Sequence, residues 1–198
     1  LTVYPLKVLD LFSGLGGWSE AFKKRGHEVL TLDFEPKFKP NICADLLKVT
    51  PKQLRVFGPF DIILASPPCT EFSKASLPKS WASVQRFGCN PDTKLLVKTV
   101  ELIQALKPKW WVIENVRGAV PYFKPILGNP VRHIGSRYLW GEFPMFDSAP
   151  KYGKWKLPKT SDRAAKRSLI PYSLSLALCL SCEWNMPLIT SEIKEKKA

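Results

Sequence analysis

The feature that most constrains this chain is an apolar run, Leu6 to Phe12, that passes directly into the glycine-rich turn Ser13-Gly14-Leu15-Gly16-Gly17. A short apolar run bounded by a turn signal reads as a strand buried on both faces. Trp18 to Arg25 then reads as a helix stopped by Gly26. The alternation repeats downstream. Glu28 to Phe34 reads as a second strand, Asn41 to Asp45 as a short third element, and Pro51 to Phe57 as a helix with proline at its first position. Phe60 to Ser66 is another buried strand, cut off at Pro67-Pro68. Asp92 can cap a helix whose Leu95, Leu96, Thr99, Leu102, Ile103 and Leu106 recur at helical spacing. Pro108 stops it, and Trp110 to Ile113 follow as a strand. Strands alternating with helices predict an α/β fold with a doubly wound, mostly parallel sheet. Thr70 to Asn90 has no sustained period and reads as a long loop. Beyond Tyr138 the pattern weakens into a basic, aromatic stretch; a last helix is expected from Pro171 to about Glu183, and Ser191 to Ala198 reads as a charged tail.

The chain has 198 residues, 45% of them hydrophobic, enough for one substantial core. Lysine and arginine outnumber the acids by 30 to 17, a formal net charge of +13. That excess suits a polyanionic partner, because each neutralised phosphate releases counterions. Charge alone fits a solvated basic surface equally well. Five cysteines, an odd number without a dense framework, imply a reduced setting and an intracellular location, cytoplasm or nucleoid. Cys179 and Cys182 have C-x-x-C spacing, but no second pair accompanies them and both histidines are distant in sequence; they read as apolar helix positions, and no metal site is expected. No stretch is apolar and long enough to span a bilayer, so no membrane association is expected.

In a doubly wound sheet ligands bind at the carboxyl ends of the strands. Four segments therefore converge on one rim: the turn after Phe12, the acid Asp33, Pro67-Pro68-Cys69, and Glu114-Asn115. The glycines permit close backbone approach to a ligand. Asp33, at the end of the second strand, can accept hydrogen bonds from ribose hydroxyls. Together these favour an adenosine-containing ligand, with a dinucleotide and S-adenosylmethionine both open. The two prolines present Cys69 at the mouth of the crevice. A lone cysteine is usually a small buried hydrophobe. Here a carboxylate, Glu114, ends a neighbouring apolar strand, where an unpaired charge would be costly to bury.

The order DLFSGLGG, an acid after the second strand, SPPCTEFS, then ENV resembles the cytosine-C5 methyltransferase family over roughly residues 6 to 140. The resemblance implies a Rossmann-like fold dependent on S-adenosylmethionine. It implies that Phe12, Gly14 and Gly16 line the cofactor site, that Asp33 holds the ribose, that Phe34 packs on the adenine and that Asp45 receives its exocyclic amine. Pro68 and Cys69 match the catalytic dipeptide, Glu114 the base-contacting glutamate, and Arg137 the last arginine of a basic motif. The implied reaction adds the Cys69 thiolate to cytosine C6 while protonated Glu114 hydrogen-bonds N3 and Arg137 contacts O2. A stacked base is unreachable, so the target is flipped out or unpaired. Lys74, Lys79 and Arg86 in the long loop are placed to close over it.

Two departures from the family pattern matter. Gly135 stands where a second arginine is usual, with Arg132 nearby as a substitute. The large target-recognition region and the final Gly-Asn motif are missing, and Pro171 to Ser175 is the stretch that could occupy the latter's place. Residues 1–190 are thus expected to form a single catalytic domain. Within it, 141–168 is a reduced nucleic-acid-contacting segment rich in lysine and arginine, with Tyr152 and Trp155 interleaved. The expected partner is DNA, with RNA as the alternative polymer, and the short chain leaves room for a protein partner that supplies sequence specificity. Two other readings compete: a cytosine-C5 methyltransferase of tRNA, and a catalytically silent nucleic-acid-binding accessory module. A dinucleotide oxidoreductase would leave PPC and ENV without purpose, and amino-methylating enzymes carry an aromatic residue where Cys69 stands.

Overall fold

The computed structural model describes residues 4–70, 72, 91–146 and 168–186. The long loop with its three cations, the basic segment from Lys151 to Arg167, and the terminal tail lie outside the described residues. Seven strands form one sheet: β1 (Lys7–Leu11), β2 (Glu28–Asp33), β3 (Ile42–Cys43), β4 (Ile62–Ala65), β5 (Trp110–Val116), β6 (Arg132–Ile134) and β7 (Arg137–Glu142). Their order is β3-β2-β1-β4-β5-β7-β6. The first five pair in parallel, and β7 runs antiparallel between β5 and β6. Chain order turns back between β1 and β4, which makes that junction the switch point where a crevice opens.

Among the described residues five helices cover the sheet: α1 (Glu20–Lys24), α2 (Pro51–Arg55), α3 (Lys94–Leu106), α4 (Val120–Leu127) and α5 (Tyr172–Trp184). Side chains of each strand alternate between the two faces. Val8, Ile62, Leu64, Val112 and Leu139 pack with Phe22 of α1 and Leu174, Leu178, Cys179 and Cys182 of α5. Leu9, Leu11, Ile63, Ala65 and Ile113 pack on the other face with Leu54 of α2, Leu96 and Leu102 of α3 and Phe123 of α4. Both cysteines of the C-x-x-C pair are thus core positions, as their spacing suggested.

Local signals explain most boundaries. Thr50 and Gln53 form a reciprocal capping box ahead of α2, with proline in its first turn. Lys94 N–H bonds Asp92 Oδ1 where α3 begins, and α3 buries Leu96, Thr99, Leu102 and Ile103 as its period predicts. Two regions depart from the sequence expectation. Helix α4 carries Pro121 and Pro125, and Pro125 lacks the N–H that would reach back one turn, so the stretch does not read as helical. The stretch around Tyr138 is a hairpin: β6 and β7 pair from Ile134↔Arg137 onward, leaving Gly135 and Ser136 as a two-residue turn. Gly135 has φ 60, the left-handed conformation that such turns require at their first position. An arginine there would be strained.

Candidate active site

The register of the sheet assembles the site. Ala65 pairs with Ile113, so the next residues, Ser66 and Glu114, stand side by side where β4 ends. On the other flank Glu114 pairs with Leu139 and Val116 with Arg137. Arg137 is therefore the diagonal neighbour of Glu114 on one face. The contacts follow. Arg137 Nη1 donates to Glu114 Oε1 at 3.0 Å, and the Ser66 hydroxyl donates to Glu114 Oε2 at 2.9 Å. Trp18 Nε1 donates to Ser66 Oγ at 2.9 Å. Asn115 Nδ2 donates to the Pro67 carbonyl at 3.0 Å, tying ENV to the proline segment. Gly118 seals that junction, since a Cβ there would meet the Phe72 carbonyl oxygen at 1.9 Å.

Glu114 is buried. Burial pushes its carboxyl pKa up, and the Arg137 charge and the hydrogen bonds from Ser66 and Arg137 only partly offset this. Cys69 is half-buried; burial and then the Glu114 charge hold its thiol above the ordinary range, against a smaller pull from Arg137. The resting cysteine is a thiol. Because Glu114 is one reason, protonating Glu114 makes the Cys69 thiolate easier to form.

A cleft of about 390 Å³ opens beside this cluster, on the α3 side of the sheet. Phe12, Asp33, Phe34, Asp45, Pro67, Pro68 and Thr70 line it. Phe12 has φ 60, a strained conformation for a bulky residue and one that tends to mark ligand sites. Asp33 accepts Gly14 N–H at 2.8 Å and Glu35 N–H at 2.9 Å, which locks the turn to the end of β2. Gly14 and Gly16, with φ of 47 and 77, shape that turn, while Phe12 supplies its wall. Asp45 Oδ1 accepts Leu47 N–H at 3.0 Å. Phe34 is 62% exposed at the rim, an apolar ring that lines the cleft.

Cys69 stands at the border of two compartments. The cleft lies on one side, and the Glu114–Arg137 pair on the other. Phe12, Asp33, Phe34, Asp45 and Pro68 line the cleft, Glu114 and Arg137 pair beside it, Gly14 and Gly16 shape the turn without lining the cleft, and Lys74, Lys79 and Arg86 lie outside the described residues. Arg132 cannot substitute at Glu114: it bonds the Phe146 carbonyl and lies over that ring. Sequence reasoning missed Ser66 and Trp18, although both sit inside the motifs themselves. It also missed how the last segment docks on the turn: a Cβ on Gly17 would meet Ile170 N at 2.7 Å, and Ser175 Oγ donates to the Trp18 carbonyl. The segment around Pro171 to Ser175 does lie against the glycine-rich turn.

The strand order and the cleft at its switch point define a methyltransferase-type fold. Two solved structures share it. A prophage-encoded E. coli protein assigned as a DNA modification methyltransferase aligns at TM-score 0.50 and 22% identity, over 69% of this chain and 46% of its own. The Entamoeba histolytica methyltransferase EhMeth aligns at TM-score 0.50 and 16% identity, over 77% of this chain and 57% of its own. The chain belongs to the C-5 cytosine-specific DNA methylase family, whose model matches residues 6–122. It is 27% identical over 149 residues to the Type II methyltransferase M.DdeI of Desulfomicrobium norvegicum, covering 66% of this chain and 34% of that protein. It is 30% identical over 129 residues to M.HgiCI of Herpetosiphon aurantiacus, covering 60% of this chain and 29% of that protein. The chain thus spans about a third of the length of the curated relatives it matches. Among the described residues no helix is long and apolar enough to cross a membrane.

Proposed function

We propose that this chain methylates C5 of cytosine in DNA through a transient bond between Cys69 Sγ and C6 of an unstacked base. The observation that carries the reading is the placement of Cys69 beside a buried glutamate that has one directed donor on each oxygen, at the edge of an acid-lined cleft. The cleft suits S-adenosylmethionine. Its charged lining residues are Asp33, Asp45, Asp92 and Lys94, and Lys94 is paired with Asp92 at 3.5 Å. Asp33 and Asp45 remain to face a cationic ligand, while Phe34 offers a flat apolar surface and the Gly14 turn a close backbone approach. When bound, S-adenosylmethionine supplies an electrophilic methyl group.

The chain's own residues do the rest. Glu114, protonated, donates to N3 and takes up the charge that develops as the ring is attacked. Its loss of negative charge lowers the barrier to ionising Cys69, so the acid and the nucleophile are prepared by the same proton. The Cys69 thiol gives its proton to water, its sulfur forms the bond to C6, and the C5–C6 π electrons become available at C5. Arg137, aimed at Glu114, is placed to contact O2. After methylation, loss of the C5 proton to water and departure of Cys69 restore the C5–C6 double bond. The base reaches this site only when out of its stack, and DNA is the partner that the family and the +13 charge favour.

The test is transfer of tritiated methyl groups to duplex DNA, single-stranded DNA and tRNA, with nucleosides read by mass spectrometry. Label in 5-methylcytosine of DNA, abolished by Cys69→Ser, is expected. Label confined to tRNA would replace the polymer, and undiminished transfer by Cys69→Ser would overturn the covalent mechanism.

A further inference from the structure

Trp18 follows the glycine turn and is buried to 2% exposure. Core packing accounts for its ring, yet its indole N–H is spent on one atom, Ser66 Oγ, which in turn serves Glu114. An indole N–H only donates, whereas a hydroxyl has one proton and two lone pairs. The Trp18 bond therefore occupies a lone pair of Ser66 and leaves the single hydroxyl proton for Glu114 Oε2.

The arrangement closes on itself. Ser175 of α5 donates to the Trp18 carbonyl and accepts Ala21 N–H at 3.3 Å. Arg137, the donor on the other oxygen of Glu114, gives its Nη2 to the Leu169 carbonyl at 2.7 Å. A ring of hydrogen bonds thus starts at Leu169, passes through Arg137, Glu114, Ser66 and Trp18, and returns to Ser175. Both donors on the glutamate are held by the same short stretch of chain, Leu169 to Ser175. The charged group that acts on Glu114 from a neighbouring element is Arg137 of β7, and Glu114 in turn acts on Cys69 after β4.

We propose that Trp18 is a positioning residue for Glu114: by directing the Ser66 hydroxyl it keeps Oε2 an acceptor and assigns the proton that Glu114 offers a substrate to Oε1. If Oε2 took the proton, Ser66 would have to accept from it and would lose its own acceptor. With the proton on Oε1, Ser66 keeps its bond, and only the Arg137 contact must adjust as a base arrives. The relay makes the glutamate a one-sided acid. It rests on the proposed role of Glu114, but the geometry predicts a signature that exists without any substrate.

The signature is the Trp18 indole resonance in protein labelled with 15N-tryptophan, assigned among the seven tryptophans by its loss in Trp18→Phe. In the wild type it is expected to move sigmoidally with pH as Glu114 ionises, and to stop moving in Glu114→Gln and in Ser66→Ala. A second arm measures single-turnover methyl transfer to a cytosine-containing oligonucleotide. Trp18→Phe and Ser66→Ala are expected to slow it about tenfold or more with affinity for S-adenosylmethionine unchanged, and Ser66→Thr to restore most of the rate. A Trp18 resonance indifferent to pH, or one that still titrates in Ser66→Ala, overturns the relay. So does a kinetic loss confined to cofactor affinity. If Trp18→Phe fails to fold, Ser66→Ala decides both arms, its perturbed indole signal identifying Trp18. A wild type that titrates as expected but transfers no methyl group would sink the enzymatic reading and leave the relay standing.

Discussion

Two buried glutamates in this molecule each face an arginine, and they are tuned in opposite directions. Glu114, at the strand ends, has its pKa raised. Glu183, near the end of α5, is also pushed up by burial, but its hydrogen bonds to Arg25 and His27 outweigh this and hold it low. The difference lies in the donors. Glu183 receives Arg25 through Nε at 2.6 Å and Nη2 at 2.7 Å, and His27 Nε2 lies 2.9 Å away. Glu114 receives one arginine nitrogen and one neutral hydroxyl. A fork of two charged bonds fixes a carboxylate as an ion; a single one on a deeper group leaves it able to take a proton. The first arrangement is a latch between α5 and the α1–β2 corner. The second is an acid.

Cys179 adds a third ligand-type atom, and with His27 and Glu183 all such atoms lie within 4.8 Å of one another. The cluster is already spoken for. His27 Nδ1 accepts Leu6 N–H at 3.1 Å, which leaves Nε2 as the proton-bearing donor toward Glu183, and the Arg25 guanidinium covers the carboxylate. A cation would have to displace a cation.

The comparison breaks first on activity. Glu114→Gln keeps the shape and a hydrogen bond but loses the proton to give, and a drop of about 10²–10⁴-fold in methyl transfer is expected. Glu183→Gln is expected to leave transfer per folded molecule in place. Labelled-methyl kinetics on both variants, normalised to folded protein by circular dichroism, checks the pair. Equal losses would mean that the latch, too, feeds the chemistry.

Stability reverses the ranking. Glu183→Ala leaves the buried His27 without its partner while water takes over the partly exposed Arg25, and is expected to cost about 1–3 kcal/mol. Urea titration reads this directly. Glu114→Ala is expected to cost less, because Arg137 keeps the Leu169 carbonyl and Ser66 keeps Trp18.

The pH dependence should split the same way. Glu114 has a raised pKa, so its contribution to stability is whole below its unfolded pKa and is lost as pH rises through the folded one. Asp10 shares that sign: burial lifts it to about 7 from 3.8, and its Oδ2 has no hydrogen-bond partner. Its effect runs across about pH 4–7, with a slope of at most about 1.4 kcal/mol per unit. Glu183 and His27, both lowered, have the opposite sign. They support the fold above their unfolded values, and that support is lost as pH falls. Asp10→Asn is therefore expected to flatten the decline of stability between pH 4 and 7, and Glu183→Gln to weaken the loss on the acid side. Melting temperature against pH tests both; parallel shifts without a change of slope would contradict the assignment.

Much of this was readable in the amino-acid sequence, for a physical reason. Strands β1, β4 and β5 are buried on both faces, so their apolar runs stand out, and the site residues lie close to their ends: Phe12 directly after β1, Ser66 and then Cys69 after β4, and Glu114 near the end of β5. The hairpin β6–β7 was not readable, because β6 is half-exposed and its turn was masked as a gap in a basic motif at Gly135. The latch was not readable either. Arg25, His27 and Glu183 are 158 and 156 residues apart in their pairings, and no local pattern records a contact made by packing α5 on α1. Trp18 and Ser66 were in plain view. The sequence places both at one rim, but their bond depends on the indole N–H and the Ser66 hydroxyl meeting there, which spacing alone does not reveal.

The finest form of the comparison keeps every charge and changes only its shape. Arg25→Lys leaves one ammonium where a guanidinium gave two directed bonds. Arg25 is only partly buried, at 37% side-chain exposure, so water compensates and a loss of about 1 kcal/mol is expected. Arg137 is different in geometry as well as burial, at 15% exposure. Its fork spans two acceptors on separate elements, Glu114 Oε1 on β5 and the Leu169 carbonyl ahead of α5. One ammonium cannot be in both places. Arg137→Lys is therefore expected to surrender one bond: if it keeps Glu114, the Leu169 end loosens, and if it keeps Leu169, the glutamate loses its charged donor and its pKa rises further. Either way the limb of the pH–rate profile that falls with rising pH as Glu114 ionises should move while Arg25→Lys leaves it fixed. Identical profiles for the two variants would show that the arginines differ in location alone.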